Sequence, residues 1–80
     1  MTMIYCVEDD ANIRELIEYT LTSADFEVRG FECGRDFFAA LQKERADLIL
    51  LDIMLPDTDG MEILQNLRSS GETADLPVIM

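Results

Sequence analysis

The sequence contains no histidine and only two cysteines, Cys6 and Cys33, which lie 27 positions apart. These absences exclude CxxC redox chemistry, Cys/His zinc sites and every catalytic triad built on an imidazole. The two thiols are expected to be reduced packing residues. Basic side chains are scarce as well, with 6 Lys and Arg against 17 Asp and Glu and a formal net charge of −11. Direct binding to nucleic acid or to an anionic membrane is therefore not expected, because neutralising phosphates needs a Lys/Arg patch. Long hydrophobic runs are also missing. Met1 to Val7, the longest at the N-terminus, has no basic flank and meets Glu8, Asp9 and Asp10. That suits neither a signal peptide nor a membrane span, so a cytoplasmic location is expected. What is present is an 80-residue chain, 49% hydrophobic and 29% charged, without linker, repeat or low-complexity stretch. Such apolar content argues for one folded domain over residues 1–80, although a domain of this size buries only roughly 60 to 65% of its unfolded surface.

Hydrophobic periodicity divides the chain into alternating elements. Met3 to Val7 is short, apolar and rich in strand formers. Ile13, Leu16, Ile17 and Leu21 then follow the i, i+3, i+4, i+8 spacing of one helix face, with Asp10 placed to cap it. Phe26 to Phe31 alternates Phe26, Val28 and Gly30 against Glu27 and Arg29, which predicts a strand of uncertain register. Gly34 to Lys43 carries Phe37, Phe38, Ala40 and Leu41 on a helical stripe. Leu48 to Leu51 is a continuous apolar run before Asp52, as suits a parallel strand covered on both faces. Pro56 to Gly60 is a turn by composition, Ile63, Leu64 and Leu67 mark a third helix ending near Ser70 and Gly71, and Pro77 to Met80 begins a fourth strand. With right-handed crossovers, the order βαβαβαβ gives an α/β fold, a parallel sheet with helices on both faces.

In such sheets ligands bind beyond the carboxyl ends of the strands, where strand order reverses. Glu8, Asp9 and Asp10 close the first strand and Asp52 closes the third. If those strands are neighbours, at least three carboxylates converge, and two carboxylates about 5 Å apart repel by roughly 3 kcal/mol at an effective dielectric near 20. No Lys or Arg adjoins them in sequence, so a cation or a shared proton is required. Hard oxygen ligands select Mg²⁺, Mn²⁺ or Ca²⁺. The plainer reading is that such acids cap helices and solvate loop ends, and Asp10 alone is assigned to it.

Taken together, Val7-Glu8-Asp9-Asp10, the stretch Asp47-Leu-Ile-Leu-Leu-Asp52-Ile-Met-Leu-Pro56, and Gly60 eight positions after Asp52 resemble the receiver domain of two-component response regulators. The likeness is strongest to receivers that precede winged-helix DNA-binding domains. It implies a flavodoxin-like fold and a signalling phosphoacceptor instead of a turnover enzyme. Asp52 would take a phosphoryl group from a phosphohistidine on a sensor histidine kinase, with Mg²⁺, or Mn²⁺, as cofactor. Asp9 would ligate the metal directly, Glu8 through water and Met54 through its backbone carbonyl. Pro56 and Gly60 shape the loop, and Thr58 reads as a loop hydroxyl.

The family domain is longer, with five strands and five helices, and it places a Ser or Thr at the end of the fourth strand and a Lys at the end of the fifth. Neither falls within residues 1–80, which read as the N-terminal part of a receiver without an output domain, so switching by them is expected to be impaired. An uncovered first-helix face and fourth-strand edge would favour a homo-oligomer. Three other readings compete. Aspartyl-nucleophile phosphatases and mutases commonly carry a second Asp two positions on, where this chain has Met54. A calcium-binding loop around Asp57, Asp59 and Gly60 fails at Leu55 and Asn66, where Asp and Glu are required. A non-phosphorylated scaffold or assembly module that keeps only the fold is the runner-up.

Overall fold

Five consecutive buried residues, Met3–Val7, form the first strand, β1, at the centre of a parallel sheet. The computed structural model describes residues 2–52 and 55–80. The remaining elements are α1 (Ala11–Ser23), β2 (Glu27–Phe31), α2 (Gly34–Lys43), β3 (Leu48–Leu51), α3 (Gly60–Ser69) and β4 (Val78–Ile79). The strand order is β2-β1-β3-β4, all parallel, so the chain reverses its direction of travel across the sheet between β1 and β3. This is the doubly wound, flavodoxin-like arrangement expected from the alternation of strands and helices.

Alternation along β1 separates two faces. Met3, Tyr5 and Val7 join Phe37 of α2, Ile49 and Leu51 of β3, Ile63 and Leu67 of α3 and Leu76 in one core. The Tyr5, Phe31 and Phe37 rings meet edge-on with centroids 5.2 to 6.2 Å apart, and the Tyr5 hydroxyl donates to the Glu44 carbonyl at 2.6 Å. Edge-on contact suits the ring quadrupoles. Ile4 and Cys6 point to the opposite face, toward α1.

Two expectations meet small differences. The second strand begins at Glu27, after Phe26, and its Phe31 faces the core while Glu27 and Arg29 stay exposed, as befits an edge strand. The third strand is fully covered on one face only: Ile49 and Leu51 are buried, whereas Leu48 and Leu50 are half-buried. Helix α1 explains this, since it packs over β1 and β2 and buries none of its own residues fully.

Register is fixed by polar contacts as well as by pattern. Asp47 and Met3 exchange hydrogen bonds, Asp47 N–H to the Met3 carbonyl and Met3 N–H to Asp47 Oδ2, both at 2.8 Å. That pair aligns the starts of β1 and β3. Their carboxyl ends are consequently level.

Candidate functional site

The backbone continues the ladders one residue beyond each strand. Glu8 N–H donates to the Phe31 carbonyl and Asp52 N–H donates to the Val7 carbonyl, each at 2.9 Å. Both acids are thereby held at the carboxyl ends of adjacent strands, on either side of the crevice at the reversal of strand order. Glu8, Asp9 and Asp52 each offer a carboxylate oxygen, and these three atoms lie within 4.8 Å of one another. Glu8 and Asp52 are half-buried and Asp9 is exposed. The expected convergence of Glu8, Asp9 and Asp52 is therefore present, while the Met54 backbone carbonyl lies outside the described residues.

Asp10 stands apart from this cluster, as its sequence position suggested. Its Oδ1 accepts from the N–H groups of Asn12 at 2.9 Å and Ile13 at 3.1 Å, which caps α1. Asp10 N–H in turn donates to Glu8 Oε2 at 3.2 Å. Burial pushes the Glu8 carboxyl above its ordinary value, opposed by that N–H and reinforced by a hydrogen bond and the charge of Asp52. An acid made reluctant to ionise beside two others is a group that gains from a nearby cation. Three carboxylate oxygens so placed are a hard donor set, suited to a small divalent ion with coordination positions left over for water or phosphate oxygens.

Below the carboxylates an open pocket of about 330 Å³ is lined by Cys6, Val7, Glu8, Ile17, Leu50, Leu51, Asp52, Ile79 and Met80. Burial, with the charges of Glu8 and Glu18, pushes the Cys6 thiol up to about 11, and both cysteines are free and buried. The Cys6 thiol is therefore no nucleophile at neutral pH.

The contacts of Arg14 and Asp57 escaped the sequence reading. Arg14 donates from Nη1 to the Glu8 carbonyl at 2.8 Å, so a guanidinium does reach the acidic end of β1 from α1. No side-chain pattern signals it, because its partner is a backbone carbonyl. Asp57 accepts from the N–H groups of Gly34 and Arg35 at the start of α2, and Asp59 caps α3 through the Met61 N–H at 2.8 Å. With both carboxylates turned to helix starts, the loop is no calcium cradle. Thr58 donates to Glu62 Oε2 at 3.1 Å and is a loop hydroxyl.

Comparison with known proteins accords with this geometry. Residues 4–80 match the family profile of the response regulator receiver domain. Transcriptional regulatory protein GltR of Pseudomonas aeruginosa is 47% identical over 77 residues, which are 96% of this chain and 32% of that protein. The chain thus spans about a third of the length of the curated relatives it matches. Among solved structures, the chemotaxis response regulator CheY4 of Vibrio cholerae superposes with a TM-score of 0.93 at 31% identity, over 98% of this chain and 65% of that one. The Mn²⁺-bound form of response regulator Rcp1 gives 0.89 at 30% identity, over 98% and 63% of the two chains. Sequence pattern, strand order and acidic crevice all converge on one assignment: the chain belongs to the response regulator receiver domain family of two-component signalling.

Proposed function

We propose that Asp52 accepts a phosphoryl group from the phosphohistidine of a sensor histidine kinase, and that Glu8, Asp9 and Asp52 hold Mg²⁺, or Mn²⁺, beside it. The observation that carries this reading is the gathering of three carboxylate oxygens within 4.8 Å at the ends of β1 and β3. Rcp1, a structural neighbour, is described with Mn²⁺ bound, which supports the choice of ion. The Met54 backbone carbonyl joins the ligand set by family likeness alone.

In the transfer, one Asp52 carboxylate oxygen forms a bond to phosphorus while the bond from phosphorus to the donor imidazole nitrogen breaks, its electron pair returning to that nitrogen. The product is an acyl phosphate on Asp52. Phosphoryl transfer depends on positioning and on neutralising oxygen charge. A bound divalent cation supplies that neutralisation. The N–H bond of Asp52 to the Val7 carbonyl and that of Glu8 to the Phe31 carbonyl hold the two acids at the ends of adjacent strands, which supports this positioning. Each chain is modified once, so the domain acts as a signalling phosphoacceptor and not as a turnover enzyme.

Several features of this reading concern the wider system. The name of the relative GltR, a transcriptional regulatory protein, supports a role in transcriptional regulation, and we take the location to be cytoplasmic. Among the described residues no helix is long and apolar enough to cross a membrane. Exposed Ile13, Leu16 and Tyr19 on α1, with Ile79 and Met80 at the β4 edge, favour self-association of these residues.

The metal half of the proposal is tested by titrating Mg²⁺ into the wild type and into Asp9→Asn and Asp52→Asn. Both variants are expected to bind about tenfold or more weakly. Identical binding in all three would leave a scaffold that keeps only the fold.

A further inference from the structure

We infer that Arg14 is a positioning residue for the acidic site, and that Gly30 provides the space through which it acts. This inference rests on the reading of Glu8, Asp9 and Asp52 as a divalent cation site. Glu8 is the first residue beyond β1 and the last that the ladder holds. Its N–H is tied to β2 through the Phe31 carbonyl, and its carbonyl is tied to α1 by the 2.8 Å bond from Arg14 Nη1. The Arg14 N–H also donates to the Asp10 carbonyl at 2.9 Å, and Asp10 caps the same helix. Arg14 therefore grips the turn on both sides of Asp9, one residue before it and one after. Asp9 is the exposed member of the three acids, so the placement of its carboxylate depends on how firmly this short turn is held.

Gly30 completes the arrangement. It lies on β2 in register with Cys6, below the end of β1. A Cβ built on Gly30 would come within 2.9 Å of both Cγ and Cδ of Arg14, and would run into the Glu18 carboxylate as well. The stem of Arg14 thus lies directly across the bare backbone of β2 on its way to Glu8. A methyl group there has to displace the arginine, because the β2 backbone is fixed by its pairing with β1.

Charge and position make opposite forecasts for this residue, which gives the test its force. Considered as a charge alone, the Arg14 guanidinium opposes cation binding, so its removal would tighten the site. Considered as a support for the turn, its removal loosens the site, because groups that orient metal ligands typically contribute tenfold or more to affinity. The experiment measures Mn²⁺ affinity from the electron paramagnetic resonance signal of the free ion, in the 80-residue wild type and in Arg14→Met, Arg14→Lys, Gly30→Ala and Asp9→Asn. Circular dichroism and urea midpoints without metal accompany each measurement.

Arg14→Met is expected to bind Mn²⁺ about tenfold more weakly, and Gly30→Ala, which leaves the net charge unchanged, to weaken it similarly. Arg14→Lys retains a donor and the charge, and is expected to recover part of the loss. Should Arg14→Met fail to fold, Gly30→Ala and Arg14→Lys decide the question. Unchanged or tighter binding in the folded Arg14 and Gly30 variants, with the loss confined to Asp9→Asn, overturns the inference and leaves the site reading standing. A wild type that takes up no Mn²⁺ overturns both.

Discussion

The Asp57 carboxylate accepts the backbone N–H of Gly34 at 2.9 Å across 23 residues of sequence, and its second oxygen accepts that of Arg35 at 3.0 Å. The first N–H groups of a helix have no partner within it, and Cys33, the residue before α2, offers no side-chain cap. Asp57 fills that role from the loop that follows β3. Gly34 makes the approach possible, because a Cβ there would sit 2.7 Å from Thr58 Cγ2 and 3.2 Å from Ile63 Cδ1. Asp57 is thus fastened to a neighbouring helix.

Asp57→Ala is expected to lower the melting temperature by a few degrees at neutral pH, through loss of this cap. The Gly34 and Arg35 N–H groups hold the Asp57 carboxyl below its ordinary value. Its contribution is therefore complete above the unfolded carboxylate pKa, and it is lost as pH falls through the lower folded value. Urea midpoints of wild type and variant should differ at pH 7 and draw together below about pH 4.

Tyr5→Phe removes the donor to the Glu44 carbonyl while preserving the ring that packs on Phe31 and Phe37. Glu44 is exposed, so water can replace the lost hydroxyl at the carbonyl. A cost of about 1 kcal/mol in urea unfolding is expected.

On the proposed reading, the acidic cluster exchanges stability for cation binding. Asp52→Asn relieves repulsion among three carboxylates, and a rise of a few degrees in the metal-free melting temperature is expected. Mg²⁺ at about a hundred times its dissociation constant should stabilise the wild type by about 2.7 kcal/mol, and the variant far less. Melting curves in MgCl₂, and in NaCl of equal ionic strength, separate site binding from screening.

The proposed self-association of residues 1–80 would use exposed apolar surface, with Leu16 at 64% and Tyr19 at 74% exposure on α1 and Ile79 at 56% on the β4 edge. Light scattering should report a dimer or larger species at micromolar concentration. Ile79→Lys, which places a charge on the sheet edge, should shift it toward monomer. A monodisperse wild-type monomer would contradict this expectation.

Much of the fold was legible because its signals are local. The apolar run Leu48 to Leu51, the Ile13, Leu16, Ile17, Leu21 face and the Asp10 cap each state their structure within a few residues. The convergence of Glu8, Asp9 and Asp52 was legible because parallel strands carry their carboxyl ends to one edge. Arg14 was not, since its partner is a backbone carbonyl that no side-chain pattern records. Asp57 was not, because its bond to Gly34 depends on how the β3 to α3 loop passes α2. The half-buried state of Leu48 and Leu50 also lay beyond pattern, since coverage of a strand depends on where a helix crosses the sheet.

The most direct test of the account is intact mass spectrometry after incubation with a small acyl-phosphate donor and Mg²⁺, with Asp52→Asn in parallel. The account expects one phosphoryl adduct per chain, dependent on Mg²⁺ and absent from Asp52→Asn. No adduct from a chain that circular dichroism shows to be folded, or an adduct that persists in Asp52→Asn, would contradict the assignment of Asp52 as the phosphoacceptor.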